Sequence, residues 1–329
     1  MTLTTIHKFL TNIAFTINQV SFRRELVVLF LPVKYARPEE ILMQMIDGKQ
    51  VAELVAADLR ERIAALDSQG ITPTLAIIVV GNDLRTQKYI TAKQKAAEQL
   101  GIEVKLIALS ATSDDIEATI AEQIALLNSD PNVHGIILQL PIPAEVDEQD
   151  LIDLIVSQKD VDGLTLTSQA ALEAGRELFL PATPQGILRL LSSQKLPIYE
   201  KRIAVIGQGK LVGKPLTAML RSRGADVATA DSKIKDLASI VRGASIVISA
   251  VGKENLITAE MVDPDMTLID VGLSDVNGTL RGDIAQAAKE KAQLATPVIG
   301  GVGPMTVISL LANVVLAAEL AAIRMDNRA

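Results

Sequence analysis

A strand that runs straight into a glycine loop and then a helix constrains this chain more than any other stretch. Ile203, Ala204, Val205 and Ile206 form a short apolar run of the kind buried on both faces of a sheet. Gly207, Gly209 and Gly213 follow at once, and residues 215–222 read as a helix that Gly224 ends. Such a turn gathers bare backbone N–H groups at the positive end of a helix, which suits a pyrophosphate. The spacing, G-x-G-x-x-x-G, is one residue longer than the common dinucleotide fingerprint, so context has to decide. After the helix, residues 225–230 read as a second strand, and Asp231 stands where a ribose-binding acid belongs. The competing reading, a strand-to-helix turn whose glycines serve packing alone, is disfavoured by this βαβ setting.

With 329 residues the chain has room for two domains. It is 49% hydrophobic but only 2% aromatic, without tryptophan, so an aliphatic α/β core is expected. The net charge of −7 provides no electrostatic basis for nucleic-acid binding. The absence of cysteine removes disulfides, thiolate metal sites and cysteine nucleophiles together. His7 and His134 are the only histidines, so no metal centre is expected and a general base must be Lys, Tyr, Asp or Glu. His134 precedes a strand with no acidic partner beside it in sequence and reads as structural.

Residues 1–42 differ from the rest of the chain: they hold most of the phenylalanines, carry no acid before Glu25 and show no sustained period. Lys8, Arg23 and Arg24 among Thr and Asn residues resemble a transit peptide only faintly. The expectation is that the true start of the protein is Met43 or Met45, because codons for Pro38-Glu39-Glu40 can contain a purine-rich ribosome-binding sequence a few nucleotides upstream of Met43. From there helix and strand alternate. Helices are expected over 50–66, 86–100 and from 113 onward, and strands over 74–80, 104–109 and 135–140. A second alternating set adds strands over 245–251 and 267–271, and the two sets join near residues 164–186. The expected class is therefore α/β with two mainly parallel sheets, the second of Rossmann type, and a cleft between them. The helix over 306–325 is apolar on almost every side, but Asn313, Glu319 and Arg324 argue for burial between domains, returning to the first, rather than for a membrane span.

Tyr89 and Lys93 lie four apart on one helix face. A desolvated lysine loses its proton more easily, and a neighbouring phenol can orient a substrate; two solvated helix residues are the plainer reading. Short-chain dehydrogenases share the Y-x-x-x-K spacing, but there the tyrosine follows the glycine loop, and here it precedes it. Gln139, inside G-I-I-L-Q-L-P-I-P, places an amide among residues that would otherwise be buried, so it is bonded either to backbone or to a ligand. Asp162, in K-D-V-D-G, is either an Asp-Gly turn residue or a group facing the domain junction.

Five segments occur in order: Y-I-T-A-K-Q-K (89–95), I-L-Q-L-P-I-P (137–143), K-D-V-D-G (159–163), T-P-Q-G-I (183–187) and I-G-G-V-G-P-M-T (299–306). The set resembles the methylenetetrahydrofolate dehydrogenase / methenyltetrahydrofolate cyclohydrolase family from residue 45 to about residue 323. The resemblance implies a cytoplasmic homodimer of one-carbon metabolism that supports purine biosynthesis, with a folate domain over 43–165, helix 306–325 returning to it, and a dinucleotide domain over 166–305. It implies oxidation of 5,10-methylenetetrahydrofolate by NADP or NAD, then hydrolysis of the methenyl product to 10-formyltetrahydrofolate. Lys93 would be the catalytic lysine, tuned by Gln139 and Tyr89, and Asp162 would anchor the pterin. Gly300 and Gly301 would bring backbone to folate, and Gly207, Gln208, Gly209, Gly213, Asp231, Ser232 and Leu273 would bind the cofactor. Three departures stand out: Gln208 and Gly209 replace a common Arg and Ser, Asp231 replaces a common His, and Ile299 replaces Pro. Asp231 would repel the extra phosphate of NADP, so cofactor choice is expected to be weak and tilted towards NAD, although NADP is the family default. A monofunctional dehydrogenase and a non-catalytic dinucleotide sensor are the alternatives; retention of the lysine speaks against the sensor.

Overall fold

A computed structural model describes residues 43–111 and 115–326. The expectations for residues 1–42, and for Ser113 and Asp114 as helix openers, fall outside the described residues. In chain order the first half forms β1 (Gln44–Met45), α1 (Gly48–Asp67), β2 (Thr74–Val80), α2 (Leu84–Leu100), β3 (Glu103–Leu109), α3 (Ile116–Ser129) and β4 (Gly135–Gln139). Three helices follow: α4 (Glu148–Ile152), α5 (Leu166–Glu173) and α6 (Ala182–Ser193). The second half forms β5 (Arg202–Ile206), α7 (Gly213–Ser222), β6 (Asp226–Ala230), α8 (Leu237–Arg242), β7 (Ile246–Ser249) and β8 (Thr267–Asp270). It ends with β9 (Leu273–Val276), β10 (Thr279–Gly282), α9 (Gln286–Lys291), β11 (Leu294–Ala295) and α10 (Val302–Asp326).

Short polar residues set the helix starts, as their chemistry requires. Asp47, Asp83 and Asp115 each accept the free N–H groups of the first turn of α1, α2 and α3. Gly101 ends α2 in the left-handed conformation at φ 79°. Two expected boundaries move. Helix α7 begins at Gly213 rather than at residue 215, and α10 begins at Val302 rather than at residue 306. In both, a proline falls inside the first turn, where its missing N–H has no intrahelical role and its fixed φ suits the helix. β4 stops at Gln139, one residue early, shortly before the cis bond Leu140–Pro141.

Two parallel sheets result. One has the order β3-β2-β4, the other β1-β11-β8-β7-β5-β6, with β9 and β10 as a separate antiparallel pair. Residues 44–45 open the first half yet pair as β1 with β11, on the edge of the six-stranded sheet. Side chains alternate across the pleat. Leu75 and Ile77 of β2 face a core shared with Ile203, Val205, Ile246 and Ile248, whereas Ala76 and Ile78 face α3 through Ile120 and Ile124. The shared core is filled by α1, α6 and α10. Leu310, Leu311, Val314 and Val315 of α10 are almost wholly inaccessible to solvent, each such side chain stabilising the fold by roughly 1.5–3 kcal/mol. Helix α10 is long and apolar enough to cross a membrane, but here α1, α6, β2 and β4 pack around it. Its polar residues bond inward: Glu319 takes a two-pronged hydrogen bond from Arg62, and Asn313 donates to Val161 O (2.7 Å) and Leu180 O (2.8 Å). Arg324 is exposed and bonds its own helix at Leu320 O.

Candidate active site

In a parallel sheet every loop after a strand emerges at the carboxyl edge, and ligands bind there. The three-stranded sheet brings two groups together at that edge. Lys93, on α2, donates from Nζ to Gln139 Oε1 at 2.8 Å. The other end of the Gln139 amide is committed as well, because Nε2 donates to Leu140 O at 2.8 Å. With Nε2 held by a carbonyl, the amide cannot flip, and its oxygen stays on the lysine. Gln139 thus meets both sequence alternatives, tied to backbone at one end and turned towards a functional group at the other; it is half-buried, not enclosed.

Burial lowers the pKa of Lys93, and the negative charge of Asp162 opposes that shift. Asp162 answers in kind: burial raises its pKa, Lys93 lowers it, and Asp160 raises it again. Asp162 accepts no hydrogen bond among the described residues. Its neighbours explain why it is held there. Asp160 is buried and accepts from Leu164 N, Thr165 N and Thr165 Oγ1. Lys159 donates to Leu127 O, Asn128 O and Asp130 O at the end of α3. Gly163 has φ 67°, so the Asp-Gly turn exists, and the Asp162 carboxylate is its one acid left without a structural bond. Sequence reasoning missed the parts played by Lys159 and Asp160; the alternation of both charges in K-D-V-D-G was the available signal. Tyr89 shares the Lys93 face but is 51% exposed and makes no hydrogen bond among the described residues. His134 is structural in fact: its Nδ1 accepts from Thr74 N at 3.1 Å, and burial lowers its pKa to about 4.

At the carboxyl edge of the six-stranded sheet, the three loop glycines divide their labour. Gly207 has φ 92°, and a Cβ there would run into Ala250 O; a Cβ at Gly213 would run into Gly207 O. Those two serve the tight turn and the strand–helix contact. A Cβ at Gly209 would meet nothing within 4 Å, so this glycine leaves bare backbone facing open space at the start of α7. That is the approach a pyrophosphate needs, and the loop fits a dinucleotide on this ground. Gln208 is folded back, with Nε2 donating to Gly207 O (3.1 Å) and Val205 O (3.3 Å). Asp231 and Ser232 are exposed just beyond β6, and Asp231 caps its own turn by accepting from Lys233 N at 2.9 Å. Leu273 opens β9 and is 36% exposed.

The two edges come together. Lys210 of the glycine loop shares a depression with Ile142, Glu145 and Asp147, from the loop after β4. Gly300 and Gly301 follow β11 and are buried. Gly300 has φ 88°, a Cβ at Gly301 would strike Pro297 O, and a Cβ at Gly48 would strike Gly301 O. The close approaches that these two glycines permit are thus to protein, at the start of α1.

Comparison with known proteins agrees with this arrangement. The catalytic-domain model of tetrahydrofolate dehydrogenase/cyclohydrolase matches residues 46–162, and the NAD(P)-binding-domain model of the same family matches residues 181–322. A bifunctional protein FolD from Exiguobacterium sibiricum is 42% identical over 276 residues, covering 84% of this chain and 99% of that protein. One from Cupriavidus necator is 42% identical over 281 residues, covering 85% and 99%. Among solved structures, the bifunctional FolD methylenetetrahydrofolate dehydrogenase/cyclohydrolase of Campylobacter jejuni superposes with TM-score 0.82 at 36% identity, covering 84% of this chain and 99% of that one. The Trypanosoma brucei enzyme, solved with NADP cofactor and inhibitor, gives 0.81 at 30% identity, covering 85% and 99%. Matched over both sheets and at both edges, this chain belongs to the tetrahydrofolate dehydrogenase/cyclohydrolase family.

Proposed function

We propose that Lys93, Gln139 and Asp162 serve both folate reactions in one cleft, and that the dinucleotide lies along the glycine loop. The enzyme oxidises 5,10-methylenetetrahydrofolate to 5,10-methenyltetrahydrofolate and hydrolyses that product to 10-formyltetrahydrofolate. NADP or NAD, when bound, accepts the hydride. The methenyl product is a cation, and a second positive charge beside it disfavours protonated Lys93 further, beyond the lowering that burial imposes. Water then adds to the cationic carbon while the neutral amine of Lys93 takes its proton. The same proton passes to the ring nitrogen as its bond to that carbon breaks, and the hydroxyl proton of the adduct leaves to solvent as the formyl C=O forms, so one proton is released overall and the lysine returns to its starting state. Gln139 Oε1 keeps the amine aimed throughout. Asp162, free of protein donors, accepts the N–H groups of the pterin, and Tyr89 lies over the substrate from the same helix face. Gly300 and Gly301 belong to the folate side of the cleft, and Gly207, Gln208, Gly209, Gly213, Asp231, Ser232 and Leu273 to the cofactor side. The division into a folate part over 43–165, with helix 306–325, and a dinucleotide part over 166–305 goes with this reading. So does assembly as a cytoplasmic homodimer, for which the open edge of β3, with Leu106 40% exposed, offers unpaired backbone groups.

The observation that carries the reading is the 2.8 Å contact between Lys93 Nζ and Gln139 Oε1. Lys93→Met is expected to lower cyclohydrolase turnover by about a hundred- to ten-thousand-fold, the usual contribution of a proton-transfer group. Dinucleotide binding should stay within two-fold, roughly, since the glycine loop is on the other sheet. Hydrolysis of methenyltetrahydrofolate at the parent rate would remove Lys93 from the chemistry.

A further inference from the structure

Away from Lys93, the described residues bury a second set of charges for which the folate chemistry has no use. Asp270, Asp283 and Lys289 are each at most 4% exposed. Lys289 Nζ lies 2.6 Å from Asp270 Oδ2, and Asp270 Oδ1 accepts from Asp283 N at 2.9 Å. The Asp283 carboxylate then reaches the strand ends. Oδ2 accepts from Ser249 Oγ (2.8 Å) and Val251 N (2.7 Å), and Oδ1 accepts from Lys253 N (2.7 Å). Two glycines make the space: a Cβ at Gly272 would overlap the Asp283 carboxylate, and one at Gly282 would overlap that of Asp270.

Sheet order says which part of the ligand this loop faces. The glycine loop follows β5, and β6, with Asp231 at its end, lies on one side of it; β7 and then β8 lie on the other. A dinucleotide whose pyrophosphate sits at Gly209 and whose adenosine ribose points to Asp231 must extend its nicotinamide half over the ends of β7 and β8. Those ends are the segment 250–253 and the start of β9, where Val251 (46%) and Leu273 (36%) stay exposed although apolar. The segment also abuts the glycine loop, because Gly207 packs on Ala250 O, and Gly252 at φ 78° faces Leu273 O.

We propose that Asp283, backed by Asp270 and Lys289, is a positioning residue for the nicotinamide half of the dinucleotide. It holds the 250–253 segment by two backbone N–H groups, so that Val251 and Leu273 form a fixed apolar shelf beside the glycine loop. This rests on the family's use of a dinucleotide, not on the roles assigned to Lys93 or Asp162. The shelf is built by buried bonds and needs no ligand to form, which favours binding in a single pose.

The two reactions of this enzyme supply the test, because only one of them uses the dinucleotide. Asp283→Asn, which keeps the shape but turns one acceptor into a donor facing an N–H, is assayed with NADP and NAD for dehydrogenase kcat and KM. It is assayed separately for methenyltetrahydrofolate hydrolysis without dinucleotide. Dehydrogenase kcat/KM is expected to fall about ten- to a hundred-fold, the size of one or two lost charge-assisted hydrogen bonds, while hydrolysis stays within about two-fold. Should Asp283→Asn fail to fold, Ser249→Ala removes a single bond to the same carboxylate, and the same split is expected at about two- to ten-fold. An equal fall in both reactions, for whichever variant folds, would make the cluster merely structural and overturn the proposal, as would unchanged dehydrogenase kinetics.

Discussion

Lys93 and Lys289 are both drawn into the protein, one at each sheet, and they end in opposite conditions. Lys289 is 1% exposed and locked at 2.6 Å to a carboxylate that itself receives backbone N–H groups. Lys93 has a neutral amide oxygen as its direct partner and a carboxylate that acts on it only through its field. A desolvated cation with a bonded anion is fixed in place as half of an ion pair. A desolvated cation with half a partner is ready to give up its proton. The contrast separates structure from chemistry better than burial does, since Lys289, the more buried of the two, is the one that holds the scaffold.

The sharpest break of this comparison is Lys289→Met. It leaves Asp270 buried without its cation, and removing one member of a buried pair typically destabilises by about 3–5 kcal/mol. Urea unfolding should show a midpoint well below that of the parent. Lys93→Met should do the reverse. Burial lowers the Lys93 pKa below its ordinary 10.5, so folding disfavours its charged form, and a charged lysine there costs stability at every pH below that value. At neutral pH the variant should therefore unfold no more easily than the parent. Comparable losses in the two variants would erase the distinction.

Asp162→Ala sharpens the folate side. Loss of a charged acceptor for the pterin should weaken folate binding by about 1.5–3 kcal/mol, as calorimetry can read. The Asp162 charge is also what raises the Lys93 pKa against burial, so the alkaline-rising limb of cyclohydrolase activity should move to lower pH in this variant. A limb that stays put or moves upward would separate the two residues.

The smallest expected effect lies on the dinucleotide side. Gln208 spends its amide on main-chain carbonyls, and Asp231 holds a negative charge at the end of β6. A partly exposed like-charge contact with the NADP phosphate costs on the order of 1 kcal/mol. Parent kinetics should show weak discrimination tilted towards NAD, and Gln208→Arg with Asp231→Ser should shift preference several-fold towards NADP. A strong NADP preference in the parent would mean that the neighbouring Lys210, Lys233 and Lys235 outweigh Asp231.

Much of this was legible because it repeats locally. Apolar runs at 74–80 and 203–206 become β2 and β5 nearly residue for residue, and the glycine loop announces its own turn. Lys93, Gln139 and Asp162 came from motif resemblance, and the helix and strand ends do bring the first two into contact. What stayed hidden has no periodicity to show. β1 is two residues long, and its partner β11 lies some 250 positions away by residue number, on the order of the chain itself. Lys289 sits in A-A-K-E-K-A and reads as one more solvated helix residue, while Asp283 looks like a turn acid after Gly282. The β9–β10 hairpin was missed although Asn277-Gly278, both at positive φ, is the strongest short hairpin signal a sequence carries.

β1 has one more consequence. Reading from the described start, the chain first contributes a strand to the six-stranded sheet, then builds the entire three-stranded sheet, and only afterwards returns to complete the six. Topologically, the folate half is an insertion into the dinucleotide half, and α10 then crosses back to cover β2 and β4. A single cut between residues 164 and 182 would therefore not yield two self-sufficient pieces. The first would carry off the edge strand of a sheet it does not belong to, and the second would keep the helix that seals the other's core. The two halves are braided, and the cleft between them is bounded by a backbone that passes from side to side three times.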